Sequence, residues 1–411
     1  MNTTTESSAP RMHWGLLLAA AGMLMITMGA RQTTGLFVTP IHQSTGIGIA
    51  AISFALAIGQ FTWGAVQPVF GAIADKRGST GVLVFGGVLL SLGLALTPLM
   101  PSQWGLMFTL GVLTAAGAGA GSFSILIGAT AQQLAPEKRS FAAGFINAGG
   151  SLGQFVFAPI VQFVIAAAGW ASAMYTLAVA SLLAIPLAWP LRRKAVATGG
   201  GSVATAVGEI TLRQQIAIAL RDRSYWMLHI GFFTCGVHIA FLVTHLPGEI
   251  ALCGLPGSVS AISIALIGLF NVAGSLAAGA LGQRYRMKTI LAVMYASRAV
   301  MIALYLLAPP TALTFYVFAA ALGFTWLATV PPTAGLVGKL FGPRYLGTLF
   351  GLTLLSHQLG GFFGAWLGGV ALEHSGDYTW MWYGDMVLAL IAAAANLPIR
   401  EKSPKAAPAA A

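Results

Sequence analysis

Long apolar segments recur along the whole chain and are separated by short polar connections. Each has about 20 residues or more, enough for an α-helix to cross the ~30 Å hydrocarbon core of a bilayer at ~1.5 Å per residue. An even number of such helices places both ends of the chain on one side. The pattern predicts twelve transmembrane helices, at residues 13–39, 48–74, 80–99, 104–134, 140–168, 171–191, 225–246, 259–281, 289–308, 311–340, 346–372 and 378–397.

A polar middle stretch divides these helices into two sets of six. It contains Gly199–Ser202, a flexible linker. Residues 211–222 follow, with the pattern of a short amphipathic helix on the membrane face. We therefore predict an N-terminal tail at 1–12, a six-helix bundle at 13–191, a middle loop at 192–224, a second six-helix bundle at 225–398 and a C-terminal tail at 399–411.

The two halves repeat one another. The sequence AISFAL at 51–56 recurs as AISIAL at 261–266, and GAIADK at 71–76 recurs more weakly as GALGQR at 279–284. Two related bundles with a substrate site between them, near the middle of the bilayer, are typical of secondary transporters. The predicted fold class is thus an all-α membrane protein of two pseudo-symmetric six-helix bundles.

Composition supports a membrane location. The chain is 57% hydrophobic and 8% charged, whereas soluble domains are about 25% charged. The net charge of +11 does not indicate nucleic-acid binding, because the basic residues lie in the tails and in every second connection. By the positive-inside rule, both termini and the middle loop are cytoplasmic. We expect a multi-pass protein of the cytoplasmic (inner) membrane.

Enzymatic and metal chemistry find no support in the sequence. There are two cysteines, and no CxxC motif, HExxH motif or His/Cys cluster. No combination of a nucleophile and a base stands out. We therefore expect no enzyme activity, no cofactor and no metal, and we expect a monomer in the bilayer.

Residues 71–78, GAIADKRG, resemble the motif G-x-x-x-D-R/K-x-G after the second helix of the major facilitator superfamily. Ser79 and Thr80 stand where further basic residues are usual. The resemblance implies the twelve-helix fold and a cytoplasmic latch between helices. Asp75 and Arg77 would form part of that gate.

A narrower resemblance is to monocarboxylate transporters and oxalate/formate antiporters. Their fifth helix begins R-x-L-A-x-G-x-A-x-A-G-x-x-x-G, and residues 139–153 read RSFAAGFINAGGSLG. Their first helix carries a basic residue where this chain has Arg31. Their eighth helix has Asp or Asn followed four residues later by an arginine that binds carboxylate. This chain has Asn271 but Ser275, and it has Ser124 in helix 4 where relatives often have Tyr.

Two arginines lie within apolar segments, Arg31 and Arg298. A charged residue at the centre of a membrane helix costs about 2.5 to 3.5 kcal/mol, and an anionic ligand is the simplest compensation for Arg31. The alternative is that Arg31 extends to the outer interface. We interpret Arg298, in helix 9, as a structural hydrogen-bond donor or a residue that extends to the cytoplasmic surface.

Other polar residues in the spans are candidates for the substrate site: Asn147, Asn271, Ser275, Ser124, Trp326 and Gln60. The alternative for the polar ones is that they join helices together. His357 is the first candidate for proton coupling and His238 the second, because imidazole titrates near neutral pH; either could instead be a hydrogen-bonded core residue. No acid is expected at mid-membrane, since Asp385 is placed near the outer end of helix 12.

These features predict a secondary active transporter of a small organic anion, a monocarboxylate, which moves with a proton by alternating access. The alternative is an exporter of a larger amphipathic metabolite or drug. A buried arginine without a mid-membrane acid favours an anion over a cation. The expected partners are the anion, the proton and the lipid bilayer, with no nucleic acid.

Overall fold

Helices make up the regular structure of the described residues in the computed structural model. The description covers residues 13–131, 133–134, 136–192, 211–342 and 345–401, without the side chains at 75, 76, 131, 136, 137, 139 and 140. The α-helices are α1 Trp14–Gln32, α2 Val38–Thr45, α3 Ile49–Arg77, α4 Ser79–Leu96, α5 Gln103–Leu106, α6 Ala115–Ala120, α7 Phe123–Ala131, α8 Pro136–Leu182, α9 Ala184–Leu187, α10 Leu212–Arg221, α11 Arg223–Leu252, α12 Gly257–Arg284, α13 Met287–Leu307, α14 Ala312–Thr325, α15 Val330–Phe341, α16 Leu346–Ser375 and α17 Thr379–Asn396.

Within the described residues, helix occupies most of each of the twelve predicted segments. Within the described residues, nine helical stretches are long and apolar enough to cross a membrane. One of them, Phe141–Leu187, includes most of α8, which joins two predicted helices. Its backbone breaks at Gly169, where φ is +82°, and this position separates the predicted segments 140–168 and 171–191.

Three predicted helices are not continuous. The first predicted span changes to a 3₁₀ turn at Thr34–Phe37 before α2. The fourth consists of α5, a π-helical stretch at Met107–Thr114, α6 and α7. The tenth ends as α14 at Thr325 and restarts as α15 at Val330. The apolar pattern of the sequence did not predict these breaks, because apolar side chains are buried in a similar way whether a membrane helix is broken or continuous.

The short amphipathic helix of the middle loop is present as α10. Thr211 caps it: its Oγ1 accepts a hydrogen bond from the backbone N–H of Gln214, and the Gln214 side chain accepts one from the backbone N–H of Thr211. This reciprocal pair satisfies two amide groups at the start of the helix. The helix leads directly into α11.

Close packing within each half depends on glycine. A Cβ atom at Gly153 of α8 would lie 2.0 Å from the carbonyl oxygen of Met25 on α1. A Cβ atom at Gly236 of α11 would lie 1.7 Å from the carbonyl oxygen of His357 on α16. Across the halves, α3 packs on α16 and α8 packs on α12. These two contacts position the residues of the candidate site.

The chain after α17 docks onto the start of α13. The carboxylate of Glu401 accepts hydrogen bonds from the backbone N–H groups of Met287 (3.1 Å) and Lys288 (3.0 Å). It also forms an ion pair of 2.7 Å with the Nζ of Lys339 at the end of α15. Free amides at a helix start favour such an anion. Glu401 thus joins three helices of the second half.

Candidate ligand site

Arg31 lies near the end of α1 and is held between the two halves. Its Nη2 donates hydrogen bonds to the Oε1 of Gln60 on α3 and to the Oε1 of Gln358 on α16, the latter at 2.9 Å. Its Cζ lies 4.4 Å from the ring centroid of Trp63 on α3. Gln60 and Trp63 are three residues apart and therefore share a helix face. The guanidinium is thus held in place by an aromatic ring and two amide oxygens.

The charge of Arg31 is not neutralised by an acid. Among the described residues, no carboxylate forms an ion pair with it. The residue as a whole is only partly buried. Amide oxygens compensate some of the desolvation cost but supply no net negative charge. This arrangement favours an anionic ligand.

His357 lies beside this cluster. The Nε2 of Gln358 is 2.5 Å from its Nδ1, so the Gln358 side chain contacts both Arg31 and His357. The neighbouring residue Ser356 hydrogen-bonds to a different imidazole. The Oγ of Ser356 is 2.5 Å from the Nδ1 of His229 on α11, because α11 and α16 pack along that face.

A second polar group joins α8 to α12 and contains three other predicted site residues. The Nδ2 of Asn147 donates to the Oγ of Ser275 at 2.7 Å. The Nδ2 of Asn271 donates to the Oγ of Ser151 at 2.6 Å. All four side chains are buried. These bonds cross between the halves, so here the polar residues join helices, and their contact with substrate stays a prediction.

The break between α14 and α15 is stabilised by side chains from three helices. The Nη2 of Arg298 on α13 donates to the carbonyl oxygens of Thr325 and Trp326, both at 2.5 Å. The Oδ1 of Asn271 accepts from the backbone N–H of Leu327, and the Nδ2 of Asn147 donates to the Leu327 carbonyl, both at 3.0 Å. Backbone groups freed within a membrane need such partners.

The same geometry explains how Arg298 is accommodated. Its side chain is 1% exposed, and its Nη1 donates to the Sγ of Cys235 at 3.1 Å. The interpretation of Arg298 as a hydrogen-bond donor agrees with these contacts. The other possibility, extension to the surface, is wrong for the side chain as placed.

His238 on α11 is hydrogen-bonded to Asp385 on α17 in a buried contact between the ring Nδ1 and the carboxylate Oδ2. The helix α17 packs against α11 and α13 and turns Asp385 inward, where it is 2% exposed. The sequence analysis did not anticipate an acid at this contact; its depth in the membrane stays a prediction. The Trp326 ring meets the imidazole edge-on, with centroids 5.8 Å apart.

The remaining predicted residues lie elsewhere. Ser124 on α7 donates to the Oε1 of Gln67 at 2.9 Å and is buried. Arg77 is exposed at the end of α3. The side chain of Asp75 lies outside the described part of the structure, so the proposed gate stays a prediction.

Sequence reasoning missed Gln358, Trp63 and the pairing of Asp385. Two of them had a usable signal. Gln358 adjoins the candidate His357, and Trp63 lies one turn from the candidate Gln60. Their meeting at Arg31 depends on the α3–α16 contact, which is remote in sequence.

The matches to known proteins extend over most of this chain. The family profile described as Major Facilitator Superfamily matches residues 20–365. The oxalate:formate antiporter of Oxalobacter formigenes is 25% identical over 375 residues, covering 89% of this chain and 86% of that protein. Monocarboxylate transporter 13 of Rattus norvegicus is 25% identical over 376 residues, covering 89% and 84%. The MFS-type transporter YhjX of Escherichia coli is 23% identical over 359 residues, covering 87% of each.

Proposed function

The chain belongs to the major facilitator superfamily and is therefore a multi-pass membrane transporter and not an enzyme; on this premise we propose that it carries a small organic anion. A monocarboxylate is the proposed substrate and Arg31 its principal ligand. The proposal agrees with the substrates in the names of two relatives, oxalate and formate for one and monocarboxylates for the other.

One observation carries the proposal. Arg31 presents a positive charge, without a carboxylate partner among the described residues, where α1, α3 and α16 meet. A carboxylate with its two oxygens matches the planar guanidinium better than a single amide oxygen does. The substrate would displace the amide oxygen of Gln358 and so exchange a bridge between the halves for a bond to ligand.

We further propose twelve spans arranged as two six-helix bundles, residues 13–191 and 225–398, with both termini and the middle loop cytoplasmic. The bundles would rock about a site between them. The contacts of α3 with α16 and of α8 with α12 would be the surfaces along which this motion occurs. We also propose that the protein acts as a monomer in the inner membrane.

A proton would accompany the anion, since the pair crosses without net charge. His357, next to Arg31 through Gln358, and His238, paired with Asp385, are the two candidates for the proton. Symport driven by a proton gradient is the proposed mode.

The test is uptake by purified protein in proteoliposomes. We would supply a panel of radiolabelled formate, lactate, pyruvate and oxalate, with a neutral sugar and a cationic drug as controls. Uptake of at least one carboxylate, saturable and inhibited by unlabelled carboxylates but not by the controls, supports the proposal. Uptake confined to the amphipathic drug would reject it in favour of a drug exporter.

A further inference from the structure

We propose that His238 and Asp385 form a proton-binding site, separate from the anion site at Arg31, that controls the broken helix between α14 and α15. The inference rests on the proposed function, because a proton that accompanies an anion needs a group that takes it up and releases it. It also assigns Arg298 a positioning role between that proton and the interface of the two halves.

The geometry defines where the proton binds. The Nδ1 of His238 is engaged with the Oδ2 of Asp385. The opposite ring nitrogen, Nε2, has no hydrogen-bond partner among the described residues, and neither has the Oδ1 of Asp385. When the Nδ1–H group donates a hydrogen bond to the carboxylate, the lone pair on Nε2 accepts the incoming proton. No other bond breaks in this step. Unsatisfied polar atoms at a buried pair are costly, which points to a functional reason for keeping them.

The charged groups around His238 determine what its protonation changes. With neutral imidazole, the carboxylate of Asp385 balances the guanidinium of Arg298 on α13, with which it interacts electrostatically. Protonation adds a positive charge to a cluster that is almost completely buried. The other ionisable groups nearby are Cys235 on α11 and Tyr295 on α13, both of which contact Arg298, and His357 on α16. None of these is ordinarily an anion at neutral pH, so Asp385 supplies the cluster's negative charge.

His238 fits this role better than His357 does. His357 is bonded to the neutral amide of Gln358 and interacts electrostatically with Arg31 and Arg298. A proton there would add positive charge close to a cation. Among the described residues, His238 is the histidine whose ring nitrogen contacts a carboxylate, and an anionic partner stabilises imidazolium.

The broken helix connects the proton site to the other half of the molecule. Arg298 holds the carbonyl oxygens of Thr325 and Trp326. The next residue, Leu327, is held by Asn147 on α8, which lies in the first half. A second positive charge at His238 repels Arg298 and weakens its hold on the break. The position of Leu327, and with it the bond to Asn147, then depends on whether the proton is present.

The transport test separates exchange from accumulation. Full-length protein in proteoliposomes would be assayed with radiolabelled lactate and formate, first for counterflow at equal pH, then for net uptake driven by an acid exterior. We expect His238→Gln and Asp385→Asn to keep counterflow within about threefold of the wild type and to lose at least about tenfold of the gradient-driven accumulation.

The matched control is His245→Gln. His245 is another buried histidine of α11, and its Nε2 lies 2.7 Å from the backbone carbonyl of Ala365. Gln can replace that donor, so the variant should keep both activities. His357→Gln compares the two proton candidates directly: gradient-driven accumulation that is lost in this variant and kept in His238→Gln overturns the assignment to His238.

A spectroscopic measurement tests proton binding without substrate. Because the rings of His238 and Trp326 are in edge contact, protonation of the imidazole should quench the emission of Trp326. Lowering the pH should reduce the fluorescence of the wild type through a transition that is missing from both His238→Gln and Trp326→Phe.

The outcomes distinguish the two proposals. Gradient-driven accumulation that survives both His238→Gln and Asp385→Asn overturns the proton site, and so does a fluorescence transition unchanged in His238→Gln. A wild type that exchanges lactate or formate but ignores the pH gradient also overturns it, while leaving the anion proposal intact. A wild type that moves no carboxylate refutes the anion proposal, and the fluorescence titration then decides the proton site alone.

Discussion

Arg31 and Arg298 are both enclosed by membrane helices, yet their surroundings differ in kind. Arg298 is 1% exposed and bonds two backbone carbonyls and a thiol. Arg31 is partly exposed and bonds two side-chain amides, one from each half. Carbonyls left free at a helix break need a donor from the protein itself. Side-chain amides are replaceable partners, and a ligand can take their place.

The comparison teaches that burial and hydrogen bonding together distinguish a structural cation from a binding cation. Both residues satisfy the rule that charge in a membrane is compensated. Only Arg31 is compensated by groups that rotate away at low cost. Three substitutions test this contrast, and a fourth tests the latch.

Arg31→Gln should produce the largest effect, a loss of carboxylate uptake of about 100-fold or more, because an apolar site disfavours an anion that lacks a countercharge. Gln keeps some donors, so folding should be retained. The measurement is initial uptake in proteoliposomes containing equal amounts of folded protein. Arg31→Lys keeps the charge without the planar fork and should keep partial activity. Near-normal uptake by Arg31→Gln would contradict the assignment of the anion site to Arg31.

Arg298→Gln should act on stability instead. It removes a charged donor from two buried carbonyls, and each unsatisfied group costs about 1 to 3 kcal/mol. We expect a marked fall in the thermal unfolding midpoint in detergent, with substrate affinity of the surviving protein little changed. Arg31→Gln provides the comparison under the same conditions. A midpoint equal to that of the wild type would contradict the structural role.

Gln358→Glu places a carboxylate against the guanidinium of Arg31 and should imitate the substrate. The internal ion pair competes with the ligand, so KM should rise about tenfold, the equivalent of ~1.4 kcal/mol. Gln358→Asn, which keeps a neutral amide, is the control. Equal KM values for the two variants would show that substrate does not replace this bridge.

Asp75→Asn should have the smallest effect on transport. If Asp75 belongs to the latch, its loss shifts the balance of the two access states, and a coupling of about 1 to 3 kcal/mol would change populations roughly 5- to 150-fold. Turnover should slow with affinity nearly unchanged. Labelling of engineered cysteines on each face measures the balance, and unchanged labelling with an unchanged rate would dismiss the latch.

Sequence reasoning was most successful where the signal is local. Apolar length predicted the helical segments, and the cost of a charge in a membrane singled out Arg31 and Arg298. It was least successful where distant helices meet. Nothing in the sequence brings Gln358 to Arg31, since 327 residues separate them. The pairing of His238 with Asp385 was missed because depth was inferred from position along one helix, whereas packing decides which side chains face inward.

The dock of Glu401 on α13 has a consequence for the order of assembly. Glu401 follows Met287 by 114 residues, and synthesis proceeds at about 5 to 20 residues per second. The first amides of α13 therefore wait roughly 6 to 23 seconds for their carboxylate while four further helices emerge from the ribosome. During that interval water hydrates this end of α13. The contacts of Glu401 with α13 and α15 form only after α17 has been made.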